Sequence, residues 1–435
     1  MSNHAVDSPL RPIHYLGNKS RYLTQIAETI DSLVPHGAPV ADLFAGTGIV
    51  SRALADSHPV FPVDIQAYSA TLAKALCSPV AYSADERRAI VEAARDWIDS
   101  LPAPVEGLVR VESELMDIAV QDPLGFILLT EEGSLSSDNA TDQHLSEAKA
   151  AARPHLASAG ATTTAYYGGV YFSYRQALEI DAIRHAIGHR VGSHAEPTLV
   201  AALLGVASDL VATVGGHFAQ PMRLRGRTDE PKRAAIAKSL KFRRQSAFRV
   251  YDEWLSRYST ITPSKYPCTP ATEDFRTALG RQRPPVAGIY ADPPYTRDHY
   301  SRFYHVLETI ALADDPGVAV APGTSLPSRG IYRLKRHQSP FSIRSQVVDA
   351  FDALFTLGQR LSVPLVLSYS PQGGGTRARP ETRLMSIDQL TSQARSRYPN
   401  VEVVPIDSST HSRFNRTELH GTVPIEAEVL LIARP

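Results

Sequence analysis

The run Val286 to Ala291, closed by Asp292-Pro293-Pro294-Tyr295, constrains this chain most. Its β-branched and aromatic members predict a short buried strand. Two successive prolines supply no backbone N–H, so the strand stops there and its last carbonyls stay outside any ladder. A carboxylate, free carbonyls and an aromatic ring therefore gather at the carboxyl edge of a strand, where open α/β sheets place ligands. That set suits an exocyclic amine on a planar base, whose two N–H donors a carboxylate oxygen and a proline carbonyl can both accept. The nitrogen lone pair then faces an electrophile, and Tyr295 can stack on the base. Alone, the tetrapeptide is equally an ordinary turn. Its company decides.

Pro39 to Gly48 (PVADLFAGTG) predicts a strand and a glycine-rich turn, followed by a helix from Ile49 through Leu54. Gly46 and Gly48 let the backbone approach a ligand, and the helix start adds exposed N–H groups. Many such turns use glycine only for packing. Here, however, a second strand, Val60 to Val63, ends in Asp64, a carboxylate placed to accept both hydroxyls of a ribose. The Walker pattern is absent, which excludes a nucleoside triphosphate. Ser51 and Arg52 stand where the dinucleotide fingerprint continues, which leaves a nucleoside without pyrophosphate.

Upstream, Arg11 to Ser20 (RPIHYLGNKS) precedes an amphipathic helix carrying Tyr22, Leu23, Ile26, Ile30 and Leu33. Gly17 permits close backbone approach. Lys19 lies near a helix start, where a cation is unfavourable, and so invites an anion such as a cofactor carboxylate. A solvated turn lysine is the plain alternative.

Strand–helix alternation fails from about 70 to 260. Ala81 to Leu101 reads as helix, and polar, acidic Glu131 to Ala161 as a loop or partly disordered segment. Ala165 to Tyr174 (AYYGGVYFSY) is dense in aromatics, which are more often core than a base-stacking platform. It leads into a helix with Ala177, Ile180, Ile183 and Ile187, and Leu199 to Val214 reads as a buried helix.

Lys plus Arg and Asp plus Glu both number 45 in the 435 residues, so a nucleic-acid surface has to be a local patch. One exists. Between Arg223 and Arg249 lie Arg223, Arg225, Arg227, Lys232, Arg233, Lys238, Lys241, Arg243, Arg244 and Arg249, against only Asp229 and Glu230. An excess of eight positive charges is more lopsided than a solvated helix face needs, and it favours phosphate.

Farther on, Cys268 to Leu279 holds a third short strand with Asp274 near its end. Tyr300 to Ala313 reads as a helix with Phe303, Val306, Leu307 and Ile310 inward, and Arg302 and His305 elsewhere. Leu361 to Ser370 is another buried strand, preceding loose Gln372 to Gly375. Val401 to Ile406 and Glu426 to Ala433 read as an antiparallel pair closing the sheet. Cys77 and Cys268 are too few for a disulfide framework, and no histidine spacing suits a metal, so none is expected. With no apolar run of membrane-spanning length and no apolar signal region, the expectation is a cytoplasmic protein without membrane contact.

These segments resemble, in order, the Dam-type adenine-specific DNA methyltransferases of the alpha motif arrangement. His14-Tyr15-Leu16-Gly17-Asn18-Lys19 is similar to their N-terminal motif, Asp42-Leu43-Phe44-Ala45-Gly46-Thr47-Gly48 to their S-adenosyl-L-methionine loop, and Asp64 to their ribose-binding acid. Asp292-Pro293-Pro294-Tyr295 matches their catalytic motif in full. YSRFYHVLETI and YYGGVYFSYRQALEIDAIR look like the FokI-type modification enzymes of this group. The resemblance implies an α/β chain, with a Rossmann-like class I methyltransferase sheet built from 1–90 and 262–435. It also implies a large, mainly helical target-recognition insertion over 91–261.

It assigns Tyr15, Gly17, Lys19, Asp42, Phe44, Ala45, Gly46, Gly48, Asp64 and Asp274 to the cofactor. Asp274 would meet the cofactor adenine's amino group. Catalysis falls to Asp292, Pro293, Pro294 and Tyr295, and double-stranded DNA to the basic segment, with a cognate restriction endonuclease as a further partner. The implied reaction methylates the N6 amine of a flipped-out adenine. A cytosine amine or an RNA adenine offers the same planar nitrogen, and an idle DNA-binding module is the rival from another class.

Overall fold

The computed structural model describes residues 11–137, 140–188, 196–213, 215–281, 285–295, 297, 299–324, 326–370, 375–376, 379–380, 383–406 and 428–435. The expected leader through residue 10, the loose stretch from Gln372 to Gly374 and the first residues of the last expected strand lie outside them.

The sheet is made of β1 (Val40–Leu43), β2 (Val60–Asp64), β3 (Ala271–Thr272), β4 (Gly288–Ala291), β5 (Leu365–Tyr369), β8 (Asn400–Ile406) and β9 (Glu428–Arg434). A separate ribbon pairs β6 (Gly375–Thr376) with β7 (Arg379–Pro380). Sheet order is β3-β2-β1-β4-β5-β9-β8, with β1 to β5 parallel and β9 antiparallel to both its neighbours. The expected closing pair is therefore present. Chain order reverses between β1 and β4, and at such a switch point the two strand ends open a crevice. Leu43 pairs with Ala291, so Phe44 and Asp292 leave the sheet side by side.

Alternate strand residues serve opposite layers, as the period of two requires. Ala41, Leu43, Ile289, Ala291, Leu365 and Leu367 face α13 (Phe275–Gly280), α16 (Val347–Leu361) and α17 (Ile387–Arg395). Val40, Val60, Tyr290, Val366 and Ile432 face α1 (Leu23–Leu33) and α2 (Ile49–Leu54). Strands buried on both faces read as continuous apolar runs, which is why the sequence shows them clearly.

Between β2 and β3 come α3 (Ala67–Cys77), α4 (Ala84–Asp99), α5 (Ala103–Ile118), α6 (Leu124–Glu132), α7 (Gln143–Ser158), α8 (Thr162–Tyr167), α9 (Tyr174–Gly188), α10 (Glu196–Leu210), α11 (Arg233–Arg243) and α12 (Ala247–Tyr258). They make two clusters. Side chains of α4, α9, α10 and α12 pack with Tyr68 and Leu72 of α3, and with α15 (His305–Leu312) beyond the short α14 (Tyr300–Phe303). The helices α5, α6, α7 and α11 form an outer lobe around Leu108, Phe126, Leu156 and Leu240. Half of the 91–261 stretch thus shares a core with the sheet domain's own helices.

Two expectations need correction here. The stretch from Glu131 to Ala161 is largely the helix α7: Asp142 caps it by accepting from Leu145 N at 2.8 Å, and Leu145, Lys149, Ala152 and Leu156 are its buried residues. Acidic neighbours masked that stripe. His305, expected away from the core, is fully buried. It packs edge-on against Tyr167, Tyr171 and Tyr332, and burial pushes its pKa down to about 3, so it stays neutral. The aromatic run around it is core, with Tyr167, Tyr171, Phe172 and Tyr174 all buried.

Candidate active site

At the β1–β4 crevice lies a cleft of about 1160 Å³, open mouth included, near the upper end of the size range of small-molecule sites. Its lining includes Tyr15, Gly17, Lys19, Asp42, Phe44, Ala45, Gly46, Asp64 and Asp274, together with Asp292, Pro293, Pro294 and Tyr295. Every expected catalytic residue and all but one of the expected cofactor residues therefore meet in one place.

The exception is Gly48. It turns at φ +74°, and a Cβ there would lie 2.4 Å from Ala73 Cα. This glycine fits α2 against α3 and is not among the residues lining the cleft. Gly46 is different: it has φ +54°, and a Cβ would meet the Tyr15 hydroxyl at 2.8 Å, inside the cleft. Phe44, two residues before Gly46, holds φ 63°, a conformation costly for a bulky residue, and its ring packs on Phe275 and Phe341 at 5.4 and 5.1 Å.

Asp64 ends β2 with Oδ2 accepting from Gly46 N at 3.0 Å and Oδ1 from Gln66 N at 2.9 Å. Each oxygen keeps a second lone pair for a ribose hydroxyl. Burial raises its pKa, against the pull of those N–H groups. Asp42 lies beneath the loop, bonded by Ser51 Oγ, and burial lifts its carboxyl to about 7. Asp274 caps α13 by accepting from Arg276 N at 2.9 Å. Gln66 Oε1 and Ser301 Oγ line the cleft buried and without hydrogen-bond partners among the described residues. Orphaned polar atoms in a cleft that Phe44, Phe275 and Phe341 also line suit a ligand both aromatic and polar, and the donor set fits S-adenosylmethionine.

Lys19 departs from expectation. Its Nζ lies 3.0 Å from Asp292 Oδ1 and 2.9 Å from Glu428 Oε1, and the residue is only 4% exposed. Burial opposes its charge, but Asp292, Tyr295 and Glu428 outweigh that and its pKa is raised. The cation is committed to two carboxylates and is not free for a cofactor carboxylate. Glu428 opens β9 beside β5, where Ser368 Oγ also donates to its Oε1 at 2.8 Å. Nothing near Glu428 in sequence marks this role; only antiparallel pairing brings it to Lys19.

Burial raises the Asp292 pKa to about 6; Lys19 pulls it down and Glu428 pushes it up. Its side chain is 22% exposed to the cleft, so it meets the space where a base would enter. Tyr295 lies edge-on to Tyr369 at 5.2 Å, under the Arg383 guanidinium at 4.5 Å. Arg383 is itself held by Ser370, through its carbonyl at 2.8 Å and its Oγ at 3.1 Å. Glu308 of α15 binds Ala67 N at 3.0 Å and Tyr68 N at 3.2 Å, tying the helix after the catalytic motif to α3.

No basic residue from Arg223 to Arg244 lines the cleft. Arg223, Arg227, Lys232, Arg233, Lys238, Lys241 and Arg244 are exposed on α11 and the loop before it. Arg225 pairs with Glu131 and Asp229 at 3.1 and 2.9 Å. Arg243 is 1% exposed and cannot reach a phosphate, correcting the expectation for it. Its guanidinium donates to the carbonyls of Gly169, Val170 and Phe172 at 2.7–2.9 Å and pairs with Glu112 at 3.4 Å. It stitches α11 to the aromatic segment. Among the described residues no His/Cys/Asp/Glu group could hold a metal, and no helix is long and apolar enough to cross a membrane.

A parallel sheet ending in an antiparallel pair, with an acid-bearing crevice at its switch point, is consistent with a methyltransferase fold. Residues 15–142 match the family model of the D12 class N6 adenine-specific DNA methyltransferases. The chain is also similar to the modification methylase LlaI of Lactococcus lactis subsp. lactis, 29% identical over 144 residues. That stretch is 33% of this chain, and the chain spans about a fifth of the length of that relative (20%). Asp292 to Tyr295 lie beyond the family match, so their place in the site stands on geometry.

Proposed function

We propose that this chain transfers a methyl group from S-adenosylmethionine to the N6 amine of adenine in double-stranded DNA, as the modification half of a restriction–modification system. The observation that carries this is the placement of Asp292 and Tyr295 in the same cleft as Gly46 and Asp64. The family match over residues 15–142 supports both base and acceptor atom.

Tyr15, Phe44, Gly46, Asp64 and Asp274 hold the cofactor, which when bound supplies a methyl carbon already electrophilic on its sulfonium. The protein's task is then placement and exclusion of water. Lys19 occupies Asp292 Oδ1, and Oδ2 has no partner among the described residues. Oδ2 and the Pro293 carbonyl accept the two amine hydrogens, aiming the nitrogen lone pair at the donor. Oδ2 is placed to take the proton that N6 would shed on methylation. A pKa near 6 makes it a better acceptor than an ordinary carboxylate. Tyr295 stacks on the adenine.

The outer lobe and the exposed basic residues of α11 supply target recognition and phosphate contacts, and an endonuclease of the same specificity is the implied partner. The test is incorporation of labelled methyl into DNA, followed by mass spectrometry of the nucleosides. Wild type yields N6-methyladenine, and Asp292→Ala yields none while still binding the cofactor. Product in the cytosine or RNA fraction, or near-normal turnover by the variant, overturns the reading.

A further inference from the structure

Tyr332 carries two guanidiniums on its ring, Arg336 at 5.0 Å and Arg302 at 5.8 Å from the centroid. The ring is fixed, since its hydroxyl donates to the Ala219 carbonyl, its N–H donates to Ser328 Oγ at 3.1 Å, and His305 abuts it at 5.3 Å. Arg302 is exposed. Arg336 is half-buried, and its Nε and Nη1 are enclosed without a hydrogen-bond partner among the described residues. Its pKa is lowered, by burial first and then by Arg302. Exposed Arg329 adds a third positive charge beside Tyr332.

Two other arginines are answered by carboxylates. Arg333, in the same segment, binds both oxygens of Asp314, and Arg397 binds both of Asp352. Two guanidiniums sharing one ring with enclosed donors unmet is a cost that an anion would remove. Neither arginine lines the catalytic cleft, but the residues next to them in sequence, Ser301 and His337, do, so their backbone adjoins it. A guanidinium fork matches phosphate geometry, and a flipped nucleotide has to carry its rotated backbone past the edge of the cleft.

We propose that Arg302 and Arg336 form a clamp for one backbone phosphate of the extruded nucleotide, at the mouth of the cleft. This rests on the DNA-methylation reading and adds to it a contact distinct from the α11 basic residues. Extrusion alone leaves the displaced strand free to re-stack; a phosphate held beside Tyr332 opposes that return.

The test uses the full chain with a fluorescein-labelled DNA duplex, titrated across a salt series, and a separate titration with S-adenosylmethionine. Arg302→Ala is exposed and folds safely; Arg336→Met is the second variant. Each should weaken duplex binding about tenfold, and the double variant should reduce the steepness of log K against log salt by about 0.9, one phosphate's worth. Cofactor affinity stays unchanged, and Arg302→Lys restores the salt slope. Unchanged affinity and slope in Arg302→Ala and the double variant, while wild type still methylates DNA, overturns the clamp and leaves the activity standing. Weakened cofactor binding with normal duplex binding also overturns it, since the anion would then be the cofactor's carboxylate. A wild type that methylates no DNA removes the reading beneath it.

Discussion

Lys19 Nζ lies 3.0 Å from Asp292 Oδ1, so the residue that defines the N-terminal motif acts directly on the residue that defines the catalytic one. With Glu428 on its other side, Lys19 fixes the rotamer of Asp292 and offsets part of the burial that raises its pKa. Only the ionised carboxylate can accept an amine hydrogen at Oδ2, beside the Pro293 carbonyl, and then take the proton. The kcat profile should therefore fall as pH drops through about 6. Lys19→Met removes the attraction and leaves burial and Glu428. The partial exposure of Asp292 limits the effect, and the acid limb should move toward neutral by about one pH unit. A pH–rate profile of both proteins measures this; an unmoved limb would show that Lys19 does not set the ionisation of Asp292.

A second pH effect concerns stability. Burial lifts Asp42 and Glu112 to about 7, both above their unfolded values. The folded state then binds more protons than the unfolded one from about pH 4 to 7, so the contribution of these groups is complete below pH 4 and is lost as pH rises through 7. Asp42→Asn keeps a partner for Ser51 and cannot ionise. Denaturant unfolding at several pH values should show stability declining less steeply from pH 5 to 8 in this variant than in wild type. Parallel curves would contradict the assignment.

Most of the sheet was legible because its strands are apolar runs ended by special residues: Gly46 after β1, Asp64 at the end of β2, Asp292 after β4. Local chemistry marks those places. The role of Glu428 was not legible, since a lone glutamate opening a strand carries no local signal and only β5–β9 pairing brings it to Lys19. Arg243 misled for the opposite reason. In sequence it is one more member of a basic run, and only the fold shows that it faces inward to three carbonyls while Arg244 faces out. Charge counting cannot tell that Arg243 shares the inward face of Ile236, Ser239 and Leu240.

That difference separates two neighbouring arginines experimentally. Arg243→Ala leaves Glu112 buried without its cation and three carbonyls without donors, a loss on the order of 3–5 kcal/mol in unfolding free energy. Arg244→Ala loses only a partner in an exposed contact with Asp117, worth about 0–1 kcal/mol. On DNA the order reverses. Arg244→Ala should flatten the salt dependence of duplex binding by about 0.9, while Arg243→Ala, at a temperature where it stays folded, should not. Equal stability of the two variants would refute the buried role of Arg243.

Gly46 and Gly48 stand two residues apart and should fail differently. A methyl at Gly48 would lie 2.4 Å from Ala73 Cα, backbone that cannot move without shifting α3, at a φ of +74° that alanine disfavours. Gly48→Ala should therefore cost about 1–3 kcal/mol or more in stability, with cofactor affinity falling only as the fold loosens. A methyl at Gly46 meets the Tyr15 hydroxyl, the end of a side chain that can swing aside, and it would swing within the cofactor cleft. Gly46→Ala should keep a cooperative unfolding transition, lowered only by the strain of its own φ, yet bind S-adenosylmethionine at least about tenfold more weakly, roughly 1.4 kcal/mol. Calorimetric titration beside thermal unfolding of the two variants distinguishes them, and identical behaviour would mean that neither glycine faces the ligand.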